Sequence, residues 1–218
     1  MDNMRVPSSN ASTNVREASS NASVGAIARA PRRERGRLRV AALLDAGGAV
    51  FADKGFDGAT MTEIAARAGA SIGSLYQFFP TKELLAEALM ARDTAVLIER
   101  LAAFEAAAAA WSPADLADRL APALIEFRAD HPAFAILLEA IGAPAEKAAA
   151  AGRAVRAGVR AILAAAAPDR PAALLDAAAA AVQQVMKGAV AVKADPIGPA
   201  ALDELRTMLR LYLADRLR

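Results

Sequence analysis

The chain has 218 residues, 56% of them hydrophobic, a formal net charge of +2 and no cysteine. Disulfides and thiolate metal sites are excluded, and a single histidine, His131, removes most metal and triad chemistry as well, so no cofactor is implied. A net charge this small argues against indiscriminate polyanion binding by the whole surface, and the length suffices for one small and one medium domain. Mean hydropathy is positive because alanine is abundant, yet no uncharged apolar run approaches the roughly 18 residues that span a bilayer. The N-terminus has no continuous apolar segment of the secretory kind. A cytoplasmic protein without membrane association is expected.

In chain order, residues 1–30 are rich in Ser, Asn and Ala with little apolar periodicity, and read as a disordered tail. Arg32, Arg33, Arg35, Arg37 and Arg39 follow, opposed only by Glu34. Placed just before a helical unit, such a run suits phosphates or a minor groove, and Arg37 is taken as its representative contact. Residues 31–80 form the first structured unit. Thr60, with Glu63 three residues on, is a capping box that opens a helix. Ile64, Ala65 and Ala68 share its inward face, and Gly69 ends it. Ser71 caps a second helix whose inward positions are Leu75 and Phe79, and Pro80 stops that helix. Thr81 caps a third, with Lys82 in its first turn.

Two short helices around one tight turn are how a protein places a helix in the major groove of double-stranded DNA. The outward residues of the second are Ser71, Ile72, Gly73, Ser74, Tyr76 and Gln77. Gln77 can pair bidentately with adenine and Ile72 can touch a thymine methyl. Gly73 permits close backbone approach. Thr60, Thr62, Ser71 and Ser74 suit phosphate contacts, as does the Tyr76 hydroxyl. Lys82 works against the dipole of its own helix and is expected beside a phosphate instead.

The segments Leu43–Phe51, Gly55-Phe56, Ile64-Ala65, Ala68-Gly69, Ser71–Tyr76, Phe78-Phe79 and Lys82-Glu83 together resemble the DNA-binding domain of TetR-type (TetR/AcrR) transcriptional regulators. Two departures stand out. Gly47-Gly48 lies inside the first helix, where each glycine costs about 1 kcal/mol relative to alanine, so that helix is either weak there or closely packed. Phe78 occupies a position where the family often carries a polar aromatic residue.

Beyond Pro80, residues 81–218 form the larger unit. A long helix from Thr81 towards Ala110 links the two. Ser112 and Pro113 restart helix after Trp111, and breaks are expected at His131-Pro132, Gly142–Pro144, Pro168–Pro171 and Pro196–Pro199. No strand pattern persists, so the class is all-α. The last two helices, about Pro171–Val192 and Pro199–Leu217, are strongly apolar. The resemblance implies that such helices pair in a homodimer interface, here through Leu202, Leu205, Leu209 and Leu213. It also implies a small-molecule effector pocket between linker and dimer helices. Candidate lining residues are Phe104, Trp111, Phe127, Arg128, Phe134, Leu137, Gln183 and Met186, with Arg128 and Gln183 as polar anchors. Ser112 and Thr207 are the only hydroxyl-bearing Ser or Thr residues beyond Ala95, which favours an apolar or aromatic effector.

The function expected is a homodimeric repressor, released from a two-fold symmetric operator by its effector. A helical enzyme is disfavoured, since the serine nearest His131 in sequence, Ser112, is explained as a helix cap. An architectural or recombination-type DNA-binding protein is the other alternative.

Overall fold

The structure, a computed structural model, describes residues 21–140, 145–193 and 196–218. These form nine helices: α1 (Asn21–Gly58), α2 (Met61–Arg67), α3 (Ile72–Phe78), α4 (Lys82–Ala108), α5 (Pro113–Asp130), α6 (Pro132–Ala140), α7 (Ala145–Ala166), α8 (Ala172–Lys193) and α9 (Gly198–Arg216). No strand occurs among the described residues, as the absence of alternating apolar patterning predicts. Two compact units emerge among the described residues, 21–42 and 43–218. In the first, α1 begins at Asn21, so residues 21–30 are helical where a disordered tail is expected; alanines at alternate positions there favour helix. Residues 1–20 and the expected break at Gly142–Pro144 lie outside the described residues.

In the second unit, α1 carries a break at Gly55, whose φ of 72° suits a residue without Cβ. Phe51 and Phe56 meet across it with ring centroids 5.7 Å apart. The glycine pair upstream is closely packed rather than weak. A Cβ on Gly47 would come within 2.5 Å of Leu85 Cδ2, and one on Gly48 within 3.5 Å of Leu89 Cδ2, so α1 lies directly against α4.

Local signals set the next three starts. Thr60 accepts from the Glu63 amide at 3.3 Å while the Thr60 amide donates to Glu63 Oε2 at 3.2 Å. Ser71 accepts from the Ser74 amide and Thr81 from the Leu84 amide, each at 3.2 Å. Gly69, at φ 60°, turns the chain between α2 and α3. Further on, Ser112 and Asp115 form a second capping box at α5.

In the helical body α7 packs between α4 and α8, and α9 packs on α5 and α8. Gly158 makes the α4–α7 approach possible, since a Cβ there would lie 2.9 Å from Leu101 Cδ1. Leu101, Leu116, Leu120, Phe127, Val159, Ile162, Leu163 and Val182 form the centre of one apolar core. Full burial of each such side chain is worth about 1.5–3 kcal/mol. Leu209 and Leu213 belong to that core too, at 1% and 0% exposure, which corrects their expected place in a dimer interface. Their spacing marks a buried stripe, and what buries it is this chain's own α5 and α8. Leu202 and Leu205 are half-buried beside Ile125, Met186 and Leu209. The outward apolar side chains of this end are Ile197, Met208 and Leu211.

Candidate nucleic-acid interface and effector cavity

Helix α3 has two turns, and its sides differ sharply. Leu75 is fully buried and Phe79, at its C-cap, is 7% exposed, so both fix the helix to the body beneath. Ser71, Ile72, Gly73, Tyr76 and Gln77 are exposed, and Ser74 is half-buried at the N-cap bond. Ile72, Tyr76 and Phe78 are apolar or aromatic side chains held in solvent at 39%, 48% and 40% exposure. Ile72 and Tyr76, four residues apart, share one side of the helix, and Phe78 lies on another. Thr62 is exposed on α2, whereas the Thr60 hydroxyl both accepts from the Glu63 amide and donates to Glu63 Oε2 at 2.9 Å. Thr60 therefore serves the cap, and its hydroxyl has little left for a phosphate.

The cations around this turn are largely committed. Lys54 bonds Glu63, and Arg67 pairs with Asp53 at 3.0 Å. Lys54, and after it Thr60, holds the Glu63 carboxyl below the usual glutamate range. Lys82 is the main correction. Its ammonium donates to three carbonyl oxygens near the C-terminus of α1, those of Phe56 (2.7 Å), Ala59 (2.9 Å) and Asp57 (3.2 Å). It also lies 4.6 Å from the Phe56 ring centroid. An ammonium has three N–H donors, and all three are occupied. The unfavourable position on α4 is offset by these three carbonyl oxygens, which lie past the break at Gly55. In the N-terminal unit Arg37 is exposed and 3.5 Å from Glu34.

A cavity of about 360 Å³ opens in the helical body, lined from α4, α5, α6, α7 and α8. Five expected residues line it: Phe127, Arg128, Phe134, Gln183 and Met186. Three do not. Leu137 is fully buried core, while Phe104 and Trp111 pack edge-on against each other at 5.5 Å, with Arg119 over the indole. Gln183 is also no open anchor. Its amide donates to the Gly152 carbonyl at 2.8 Å and accepts from Arg156 Nε at 3.1 Å.

Comparison with known proteins joins the two sites. The model for bacterial regulatory proteins of the tetR family matches residues 43–89, and that for the tetracyclin repressor-like C-terminal domain matches residues 112–213. The chain belongs to the TetR family. This TetR-family protein is thus a DNA-binding transcriptional regulator. Its fold is similar to FadR of Bacillus subtilis in complex with stearoyl-CoA (18% identity, 81% of this chain and 98% of that one, TM-score 0.61). It is similar also to GusR of Salmonella enterica (22%, 82% and 95%, TM-score 0.61) and to a TetR regulator of Haloarcula marismortui (16%, 82% and 97%, TM-score 0.62). Among curated proteins nothing matches.

Several cavity walls of this TetR-family regulator escaped the sequence reading: Leu97, Leu124, Leu138, Val155, Val159 and Lys187. The signal for two of them was present. Val155 and Val159 lie one turn apart on α7, with Gly152 a turn earlier opening room beside Gln183; aromatic content alone pointed elsewhere.

Proposed function

We propose that this regulator is a cytoplasmic homodimeric repressor that holds a two-fold symmetric operator through paired α3 helices and leaves it when a largely apolar molecule fills the cavity. The carrying observation is the outward row Ile72, Tyr76 and Gln77 on a helix whose inward side is spent on Leu75 and Phe79. Gln77 reads a base edge, Ile72 a methyl group, and Tyr76 and Thr62 phosphates. Arg37 lies along the backbone or in the minor groove. Residues 31–80 form the reading unit and residues 81–218 the sensing and pairing unit.

One recognition helix covers too few base pairs to select a site. Two, roughly 34–36 Å apart, read successive major grooves. Ile197, Met208 and Leu211 give α9 an apolar outer side on which a second copy can pack. For the effector, a cavity walled by Leu97, Leu124, Phe127, Val159 and Met186 favours an aliphatic or aromatic body. Arg128 and Lys187 in the same wall suit an acidic group on it. That a protein of this fold binds stearoyl-CoA supports the choice. By linkage, a ten-fold to hundred-fold release needs about 1.4–2.7 kcal/mol of preference for the non-binding arrangement.

Selection of bound duplexes from a random pool tests the reading. A two-fold symmetric site is expected, preferred at least about a thousand-fold over random sequence at fixed salt, with Gln77→Ala relaxing one position per half-site. Equal affinity for all duplexes would replace it with an architectural role.

A further inference from the structure

Among the described residues two polar side chains are buried, Gln183 and Asp93. Gln183 belongs to the cavity wall. Asp93, 2% exposed in the middle of the linker helix α4, is not explained by cavity or DNA contacts. A carboxylate is withdrawn from water only at considerable expense, and here one oxygen compensates twice. Asp93 Oδ1 accepts from Arg92 Nε at 3.1 Å, and His131 Nδ1 stands 3.2 Å from the same atom.

Each partner leads to a different functional element. The His131 ring stacks on Phe127, centroids 4.5 Å apart and planes 23° from parallel, and its backbone amide closes α5 on the Phe127 carbonyl at 2.9 Å. Phe127 is a wall of the cavity. In the other direction Arg92 reaches α1, where its guanidinium meets Asp45 Oδ1 at 2.6 Å. Cavity wall, α5–α6 corner, linker helix and first helix are thereby joined in sequence through Asp93 Oδ1 and the Arg92 guanidinium.

We propose that Asp93 is a latch that ties the position of α4 and α1 to the Phe127 wall, so that a molecule displacing Phe127 moves His131 off Asp93 and frees Arg92 and α1 together. The inference rests on the reading that cavity occupancy alters DNA binding, and it assigns the residues that carry the signal. Asp93 and His131 are positioning residues, since neither lines the cavity nor stands on α3.

The full-length protein tests this with Phe127→Leu, which removes the stacked ring and so imitates its displacement. Two quantities are read: affinity for duplexes selected from the random pool, and hydrogen exchange of the backbone amides of residues 43–51. In the otherwise wild-type protein, Phe127→Leu should change both by at least about threefold. In Asp93→Asn and in His131→Gln the same change should leave them within about 1.5-fold, because the connection is already cut. Arg92→Gln, at a partly exposed position, should cut it in the same way. A Phe127→Leu effect of equal size in all four backgrounds, or no effect in the wild type, overturns the latch. Failure of every version to bind any duplex would refute the operator reading instead, and hydrogen exchange would still decide the latch.

Discussion

Lys82 Nζ lies 2.7 Å from the carbonyl oxygen of Phe56, twenty-six residues earlier in the chain. With Asp57 and Ala59 as its other acceptors, this lysine ties the first residue of α4 to the last turn of α1. Lys82→Met should therefore lower the unfolding free energy by about 1–3 kcal/mol in urea titrations. The slope of operator affinity against salt should be unchanged. A phosphate contact predicts the reverse pattern, near-normal stability and a slope reduced by about one.

Acid should loosen the helix-turn-helix through Glu63. Lys54 first, then the Thr60 hydroxyl, holds its carboxyl below the ordinary value of 4.5. A group whose folded value is depressed stabilises fully above its unfolded value, and that contribution disappears as pH falls through the folded one. Thermal unfolding followed from about pH 6 to about pH 3 should show a steeper decline in the wild type than in Glu63→Gln, with the difference opening below 4.5. Parallel curves would mean that the capping box is too solvated to matter.

Gly47 has the tightest contact of the described glycines, 2.5 Å between a built Cβ and Leu85 Cδ2. Gly47→Ala gains about 1 kcal/mol of helix propensity, yet overpacking against a fully buried leucine costs about 1–3 kcal/mol, so a net loss near 1 kcal/mol is expected. Leu85→Ala alone should cost about 2–5 kcal/mol. Together the two should cost clearly less than their sum in a double-mutant cycle, as the alanine fills part of the space the leucine leaves. Strict additivity would separate the α1–α4 contact from this pair.

Leu209 and Leu211 are two residues apart on α9, one 1% and the other 69% exposed. Leu209→Glu buries an unpaired charge and should unfold the body. Leu211→Glu should leave far-ultraviolet circular dichroism intact and shift sedimentation from dimer towards monomer. A Leu211→Glu protein that stays dimeric would move the interface off the outer side of α9.

What could be read beforehand depended on how far each interaction reaches along the chain. The caps at Thr60, Ser71, Thr81 and Ser112 were legible because donor and acceptor lie within three residues, and Leu75 and Phe79 followed from helical spacing alone. Lys82 and Leu209 depart from expectation because their partners lie far along the chain, and Phe104 and Trp111 because they pack against each other. A period of three or four says that a side is buried, but not against what, and the partner of Lys82 lies across a turn that no local pattern encodes. The glycine pair in α1 was ambiguous until Leu85 and Leu89 were seen opposite it. Asp93 gave no warning at all, since a lone aspartate in an amphipathic helix reads as solvated until the neighbouring corner brings His131 to it.

Helix α3 is anchored by Leu75, Phe79 and the Ser71 cap. Its exposed positions contribute almost nothing to the folded state. Substitutions at Ile72, Tyr76 and Gln77 can accordingly accumulate without unfolding the protein, and on the reading proposed above they would change the target site while the scaffold and the cavity stay as they are.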